Sequence, residues 1–210
     1  NGYRDHPEKY FDEDLDRQMY HETKRILKEN GYERYEISNY AKNGFESRHN
    51  SGYWTRIPYL GVGLGASSFL FGKRTKNMDD MEHYLSYWTE QKKNMSGFGN
   101  QMAYCSFPMP DETLWCGEKT ARDMERYCEI EAVTAEDAMA EYFYLGLRMS
   151  KGVSIREFEK KFGISVYERY GQELELCQKE KLLTVDPFAD RIALTDFGMD
   201  VSNWVFEKFI

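Results

Sequence analysis

Two clusters hold side chains whose types and spacing could do chemistry. The first is Arg48-His49-Asn50-Ser51-Gly52-Tyr53-Trp54, where an imidazole stands beside a guanidinium, an amide and two large aromatic rings. Neutral imidazole is a common metal ligand, and Tyr53 and Trp54 offer flat apolar faces with a polar tip. Arg48 is able to grip a carboxylate bidentately. A solitary histidine more often serves the fold as a hydrogen-bonding group, so His49 has a structural and a ligating reading. The second cluster is Gly61-Val62-Gly63-Leu64-Gly65-Ala66-Ser67-Ser68. Its G-x-G-x-G-A spacing is not the G-x-G-x-x-G dinucleotide fingerprint and no long helix follows it. Taken alone, such a run marks close backbone packing more often than a ligand site.

The chain of 210 residues has a net charge of -8, with 41% apolar and 16% aromatic residues. That is enough apolar material for a packed core in one or two domains. The acidic balance argues against nucleic-acid binding or an anionic membrane surface, both of which need clustered Lys and Arg. No apolar run approaches the roughly 20 residues that span a bilayer and no signal-peptide pattern opens the chain, so the expectation is a cytoplasmic protein. Cys105, Cys116, Cys128 and Cys177 lie far apart, without the C-x-x-C spacing of zinc sites or the tight grouping of iron–sulfur ligation. They read as idle or buried thiols.

These clusters need elements to hold them. Asp12 to Asn30 has helical spacing of Leu15, Met19, Ile26 and Leu27, closed by Gly31. Tyr35 to Tyr40 alternates as a strand would. The segment from Lys42 to Pro58 reads as a loop, and Tyr59 to Phe71 as a strand or tight turn. Asn77 or Asp79 is expected to cap a helix through Met81, Tyr84 and Leu85. Residues 91–118 read as an irregular connector, a loop insertion or a subunit contact within a homodimer. Thr134 with Asp137 predicts a capped helix running to Gly152, Ser154 a short helix ending at Gly163, and Ser165 a third helix. Leu182 to Val185 and Ile192 to Leu194 read as two strands, and Thr195 caps a last helix. Three helices, a two-stranded wing and a closing helix make a winged-helix-like module. Its third helix carries Glu168, Glu173, Glu175 and Glu180, the wrong charge for a DNA groove.

Tyr35-Glu36-Ile37-Ser38-Asn39-Tyr40-Ala41, His49-Asn50-x-x-Tyr53-Trp54 and Tyr59-Leu60-Gly61-x-Gly63-x-Gly65-Ala66 together resemble the oxygen-independent coproporphyrinogen III oxidase-like radical SAM family. The His-Asn-x-x-Tyr-Trp hexapeptide resembles its HemW-type haem chaperone branch. Phe143-Tyr144-Leu145-Gly146-Leu147-Arg148 and Leu194-Thr195-x-x-Gly198-x-x-x-Ser202-Asn203 resemble the family's C-terminal domain. The resemblance runs in order along the chain except for residues 90–130. It implies an α/β plus α+β fold: the C-terminal remnant of a partial radical SAM (β/α) barrel, then a winged-helix-like, mostly helical C-terminal domain. The expected division is 1–72 for the end of the barrel, 73–133 for a helix and connector, and 134–210 for the HemN-type C-terminal domain.

The same resemblance implies haem binding by His49, as axial ligand to the iron, with Asn50, Tyr53 and Trp54 around it. Arg48 would pair with a propionate. Ser47 stands where many relatives place a cysteine, so no thiolate is available there. Gly63, Gly65, Ala66 and Ser67 would lie against S-adenosylmethionine. The family's [4Fe–4S] cluster needs a three-cysteine motif that this sequence lacks, and the chain begins at Asn1 without methionine. The expectation is therefore the C-terminal part of a haem chaperone whose cluster and radical chemistry reside elsewhere in an intact parent, with haem or porphyrin and a haem-accepting protein as partners. The alternatives are a coproporphyrinogen III dehydrogenase of porphyrin biosynthesis and a ligand-free structural domain.

Overall fold

The computed structural model describes residues 12–86, Thr89 and 128–210, which group into two compact units. Unit 1 comprises residues up to Arg56 together with Met139–Ile210, and unit 2 is Ile57–Ala138. The sequence-expected connector over 91–118, with Cys105 and Cys116, lies outside the described residues.

Unit 1 begins with α1 (Glu13–Glu29), whose N-terminus is capped by Asp12 accepting from the Leu15 amide at 3.0 Å. Lys24 and Arg34 both reach Asp196, at 2.6 and 3.1 Å, and Arg17 lies 4.0 Å from Asp200. The Lys24 ammonium, chiefly by hydrogen bonding, holds the Asp196 carboxyl below the usual carboxylate range. The single strand expected over Tyr35 to Tyr40 is instead two short antiparallel strands, β1 (Glu33–Arg34) and β2 (Tyr40–Ala41), around a bend. The alternation is present, but it serves a different neighbour: the Ile37 amide donates to the Arg148 carbonyl at 3.0 Å and the Ser150 amide to Tyr35 at 3.0 Å. Glu36 is buried there and accepts from the Asn39 side-chain amide.

Helix α2 (Arg48–Trp54) occupies part of the expected loop. Helix α3 (Ala135–Gly146) opens with the Thr134–Asp137 capping box: the Asp137 amide donates to the Thr134 hydroxyl oxygen and the Thr134 amide to the Asp137 carboxylate, each at 3.1 Å. It stops at Gly146 rather than Gly152, since residues 147–151 turn to run beside Tyr35–Ile37. Ser154 caps α4 (Ile155–Phe162), which closes on Gly163 in the left-handed conformation. Ser165 caps α5 (Val166–Lys179), bent at Tyr170. The antiparallel hairpin β6 (Leu183–Asp186) and β7 (Arg191–Leu194) follows. The expected last helix is two, α6 (Asp196–Asp200), capped by Thr195, and α7 (Ser202–Phe206).

The core of unit 1 is aromatic. Phe143 stacks on Phe209 with centroids 4.6 Å apart and planes 3° off parallel, and meets Tyr170 edge-on at 4.9 Å and Phe158 at 5.5 Å. Leu147, Val166, Leu174, Cys177 and Ile192 fill the space around them. Cys177 is accordingly a buried core thiol, its pKa pushed up by burial.

Unit 2 holds a three-stranded antiparallel sheet, β3 (Ser67–Leu70), β4 (Lys73–Asn77) and β5 (Cys128–Ala132), in that order. Strand β5 falls in what reads from sequence as connector. Its register explains the pairing: Arg74 faces Glu131 and Lys76 faces Glu129, so a basic and an acidic strand neutralise each other. Residues 81–86 are helical, and the cap is Asp80, which accepts from the His83 amide at 2.9 Å, rather than Asn77 or Asp79.

Truncating the central ring removes contacts on several sides at once. Phe143→Ala should cost about 3–5 kcal/mol of stability, whereas Phe188→Ala, at a residue 98% exposed, should change it by less than about 0.5 kcal/mol. Urea titration followed by circular dichroism measures both.

Candidate functional site

Helix α2 is short and contains a glycine, so its residues do not advertise a helix. Its ends hold it. Ser47 caps it by accepting from the Asn50 amide at 3.2 Å, and the Thr55 hydroxyl donates to the Ser51 carbonyl at 2.8 Å. Ser47 thus serves as the helix cap.

On this helix His49 and Tyr53 are one turn apart and meet edge to face, with ring centroids 4.8 Å apart. His49 is exposed, and its ring nitrogens have no hydrogen-bond partner among the described residues. The other described histidines differ: His83 lies 2.9 Å from Asp80, and His21 lies 3.7 Å from Asp200. His6 lies outside the described residues. Asn50 is half-buried.

Trp54 is half-buried under the Arg148 guanidinium, which stands 5.0 Å from the indole and 4.9 Å from the Phe206 ring. Immediately beyond the helix, Arg56 forms an ion pair with Glu141 at 2.8 Å, with side chains only 7% and 3% exposed. Trp54 and Arg56 also line a cleft of about 90 Å³ with Tyr142, Ser154, Glu157 and Lys161. Burial first, then the nearby Arg56 charge, pushes the Lys161 ammonium pKa down. Burial holds the Tyr142 hydroxyl above the usual tyrosine range, and it donates to the Ser154 carbonyl at 2.8 Å. Arg56, Glu141 and Arg148 escaped the sequence reading as site residues. Only Arg148 carried a signal, as the last residue of Phe143–Arg148.

The glycine run belongs to unit 2, and most of its backbone is engaged with its own chain. The Gly61 amide donates to the Ser68 hydroxyl at 3.0 Å, the Gly63 amide to the Tyr84 hydroxyl at 3.2 Å, and the Gly63 carbonyl accepts from the Asn77 side chain at 2.8 Å. A Cβ on Gly61 would stand 2.2 Å from the Ser67 carbonyl oxygen, and one on Gly65 2.3 Å from an Asp79 carboxylate oxygen. Gly61 is thus required by packing against the backbone of the chain itself, whereas at Gly65 the left-handed φ of +62° favours glycine, since the exposed Asp79 side chain is free to move aside. Gly63 has nothing within 4 Å of its Cβ position, and its φ of +111° favours glycine there. The Ala66 carbonyl accepts from the Asn77 amide at 2.9 Å, and Ser67 opens β3 with an exposed side chain. Among the described residues no cluster of three or more His, Cys, Asp or Glu could hold a metal ion, and no helix is long and apolar enough to cross a membrane.

Comparison with known proteins assigns the class. The HemN C-terminal domain matches residues 133–201. Coproporphyrinogen III oxidase (HemN) from Escherichia coli, described as a radical SAM enzyme, superposes with a TM-score of 0.58 over 90% of this chain and 39% of its own, at 15% identity, a likeness of fold. In sequence, heme chaperone HemW of Lactococcus lactis subsp. lactis is 34% identical over 198 residues, covering 94% of this chain and 43% of the relative. Heme chaperone HemW of Bacillus subtilis is 30% identical over 193 residues, covering 92% and 42%. The chain thus spans less than half the length of these curated relatives. It belongs to the HemW-type radical SAM family, of which it represents the C-terminal portion.

Two substitutions probe the packing around the clusters. Glu141→Ala leaves a buried guanidinium without this carboxylate and should cost about 3–5 kcal/mol, read from urea unfolding. Gly61→Ala should cost about 1–3 kcal/mol through overpacking, with faster amide exchange along β3 and β4.

Proposed function

We propose that this chain is the haem-holding part of a HemW-type chaperone, with His49 as the axial ligand to haem iron and Tyr53 beside it. The observation that carries this reading is the His49 imidazole itself: exposed, on a helix anchored at its far end, with ring nitrogens that no described residue occupies. A structural histidine would be expected to use them. The donor set suits haem, since neutral imidazole is a common axial ligand, and the Tyr53 ring adds apolar surface next to it. In this reading Asn50 and Trp54 support the helix that presents the pair, and the exposed Arg48 is available to a propionate.

The intact parent would bring S-adenosylmethionine and a [4Fe–4S] cluster. Gly63, with open space at its Cβ position, and the exposed Ser67 are the residues here best suited to approach the adenosyl group, while Gly65 and Ala66 shape the turn between them. We read unit 2 and the β1–β2 region as the end of the partial barrel, and α3–α5 with the β6–β7 hairpin as a winged-helix-like module. A haem-accepting protein and a cytoplasmic setting complete the proposal.

Haem titration into the 210-residue chain tests it. Wild type should show a ligand-dependent Soret band that His49→Ala loses, with little change in melting temperature because the ring bonds to no described residue. A spectrum unchanged by His49→Ala would remove the ligand assignment. Conversion of coproporphyrinogen III by the intact protein would favour the dehydrogenase reading instead.

A further inference from the structure

The pair Trp54 and Arg148 is built at a cost. The indole Nε1 of Trp54 and the Nε of Arg148 are both buried without a hydrogen-bond partner among the described residues. Buried polar groups are normally satisfied, and one that is not calls for an explanation. What holds this pair is stacking. The Arg148 guanidinium lies between the Trp54 indole and the Phe206 ring, at 5.0 and 4.9 Å, so that a planar cation contacts an aromatic ring from α2 and another from α7.

The backbone of Arg148 is fixed independently. Its carbonyl accepts from the Ile37 amide, its amide donates to the Leu145 carbonyl at 3.1 Å, and the next two residues, Met149 and Ser150, pair with Glu36 and Tyr35. The guanidinium therefore extends from a rigid support onto the last residue of α2. Two residues further on, the Arg56–Glu141 ion pair secures the exit from the helix. Among the described residues His49 makes a ring contact only with Tyr53 on the same helix, so its placement depends on how α2 is held.

We propose that Arg148 is a positioning residue for haem binding: by clamping Trp54 against Phe206 it fixes the helix that presents His49. This rests on the assignment of His49 as haem ligand. Arginine is required because a planar guanidinium stacks on two faces at once, whereas a lysine ammonium is a strongly hydrated point charge. Loss of the clamp lets the ligand helix fray, which lowers haem affinity although Arg148 does not touch His49.

The test compares wild type with Arg148→Leu and Arg148→Lys by two readouts on the 210-residue chain, at a temperature where each is folded. Haem titration follows the Soret band, and hydrogen exchange follows the Ser51–Thr55 amides. Wild type should bind through His49, Arg148→Leu should bind about tenfold more weakly, the scale of one desolvated cation–π contact, with faster exchange at those amides, and Arg148→Lys should resemble Arg148→Leu. Should Arg148→Leu fail to fold, Arg148→Lys carries the comparison. Unchanged haem affinity and exchange in the folded variants would overturn the proposal. Absence of His49-dependent haem binding in wild type would refute the premise rather than the clamp, and faster amide exchange in the variants would tell the two failures apart.

Discussion

Helix α3 supplies the constraint on which the rest of unit 1 depends. Three of its residues face three different demands: Phe143 enters the aromatic core, Gly146 packs against Val153, and Glu141 meets the Arg56 guanidinium. The buried ion pair is permissible because both partners are brought together, and removal of one would leave the other's charge stranded. Through that pair the core dictates where the chain emerges from α2. The His49 helix is short and weakly helical by composition, so tertiary anchoring, more than propensity, decides that it exists.

Much of the fold was legible because its signals are local. Ser154, Ser165, Thr195 and the Thr134–Asp137 box cap the helices read from sequence, and Gly31 and Gly163 take left-handed conformations at helix ends. Each such device involves residues within about four positions of one another. What escaped depends on distant partners. Alternation over Tyr35 to Tyr40 was real, yet the pairing that uses Tyr35 to Ile37 comes from residues 148–150, more than a hundred positions away. Strand β5 is recognisable only once its acidic residues are set against Arg74 and Lys76.

The two chemical clusters fared differently. For the glycine run, close backbone approach explains Gly61, where a Cβ would collide with the Ser67 backbone, while positive φ values favour glycine at Gly63 and Gly65, with open space beside Gly63. For His49 the bland expectation was a hydrogen-bonded structural imidazole, and the described residues supply no such partner. Trp54, read from sequence as a face for a macrocycle, has the Arg148 guanidinium 5.0 Å from its ring. No periodicity could have revealed that, because the guanidinium arrives from a different part of the chain.

Helix α2 is proposed to present His49 as ligand, while the other described histidines, His21 and His83, lie beside carboxylates. Nitrogen NMR of the chain labelled with ¹⁵N at its histidine rings, recorded before and after addition of ferric haem, addresses it directly. The ring resonances of His49 should shift and broaden strongly through the iron, while those of His21 and His83, beside Asp200 and Asp80, keep their positions. Equal, weak broadening of all the histidine signals, or an undisturbed His49, would contradict it.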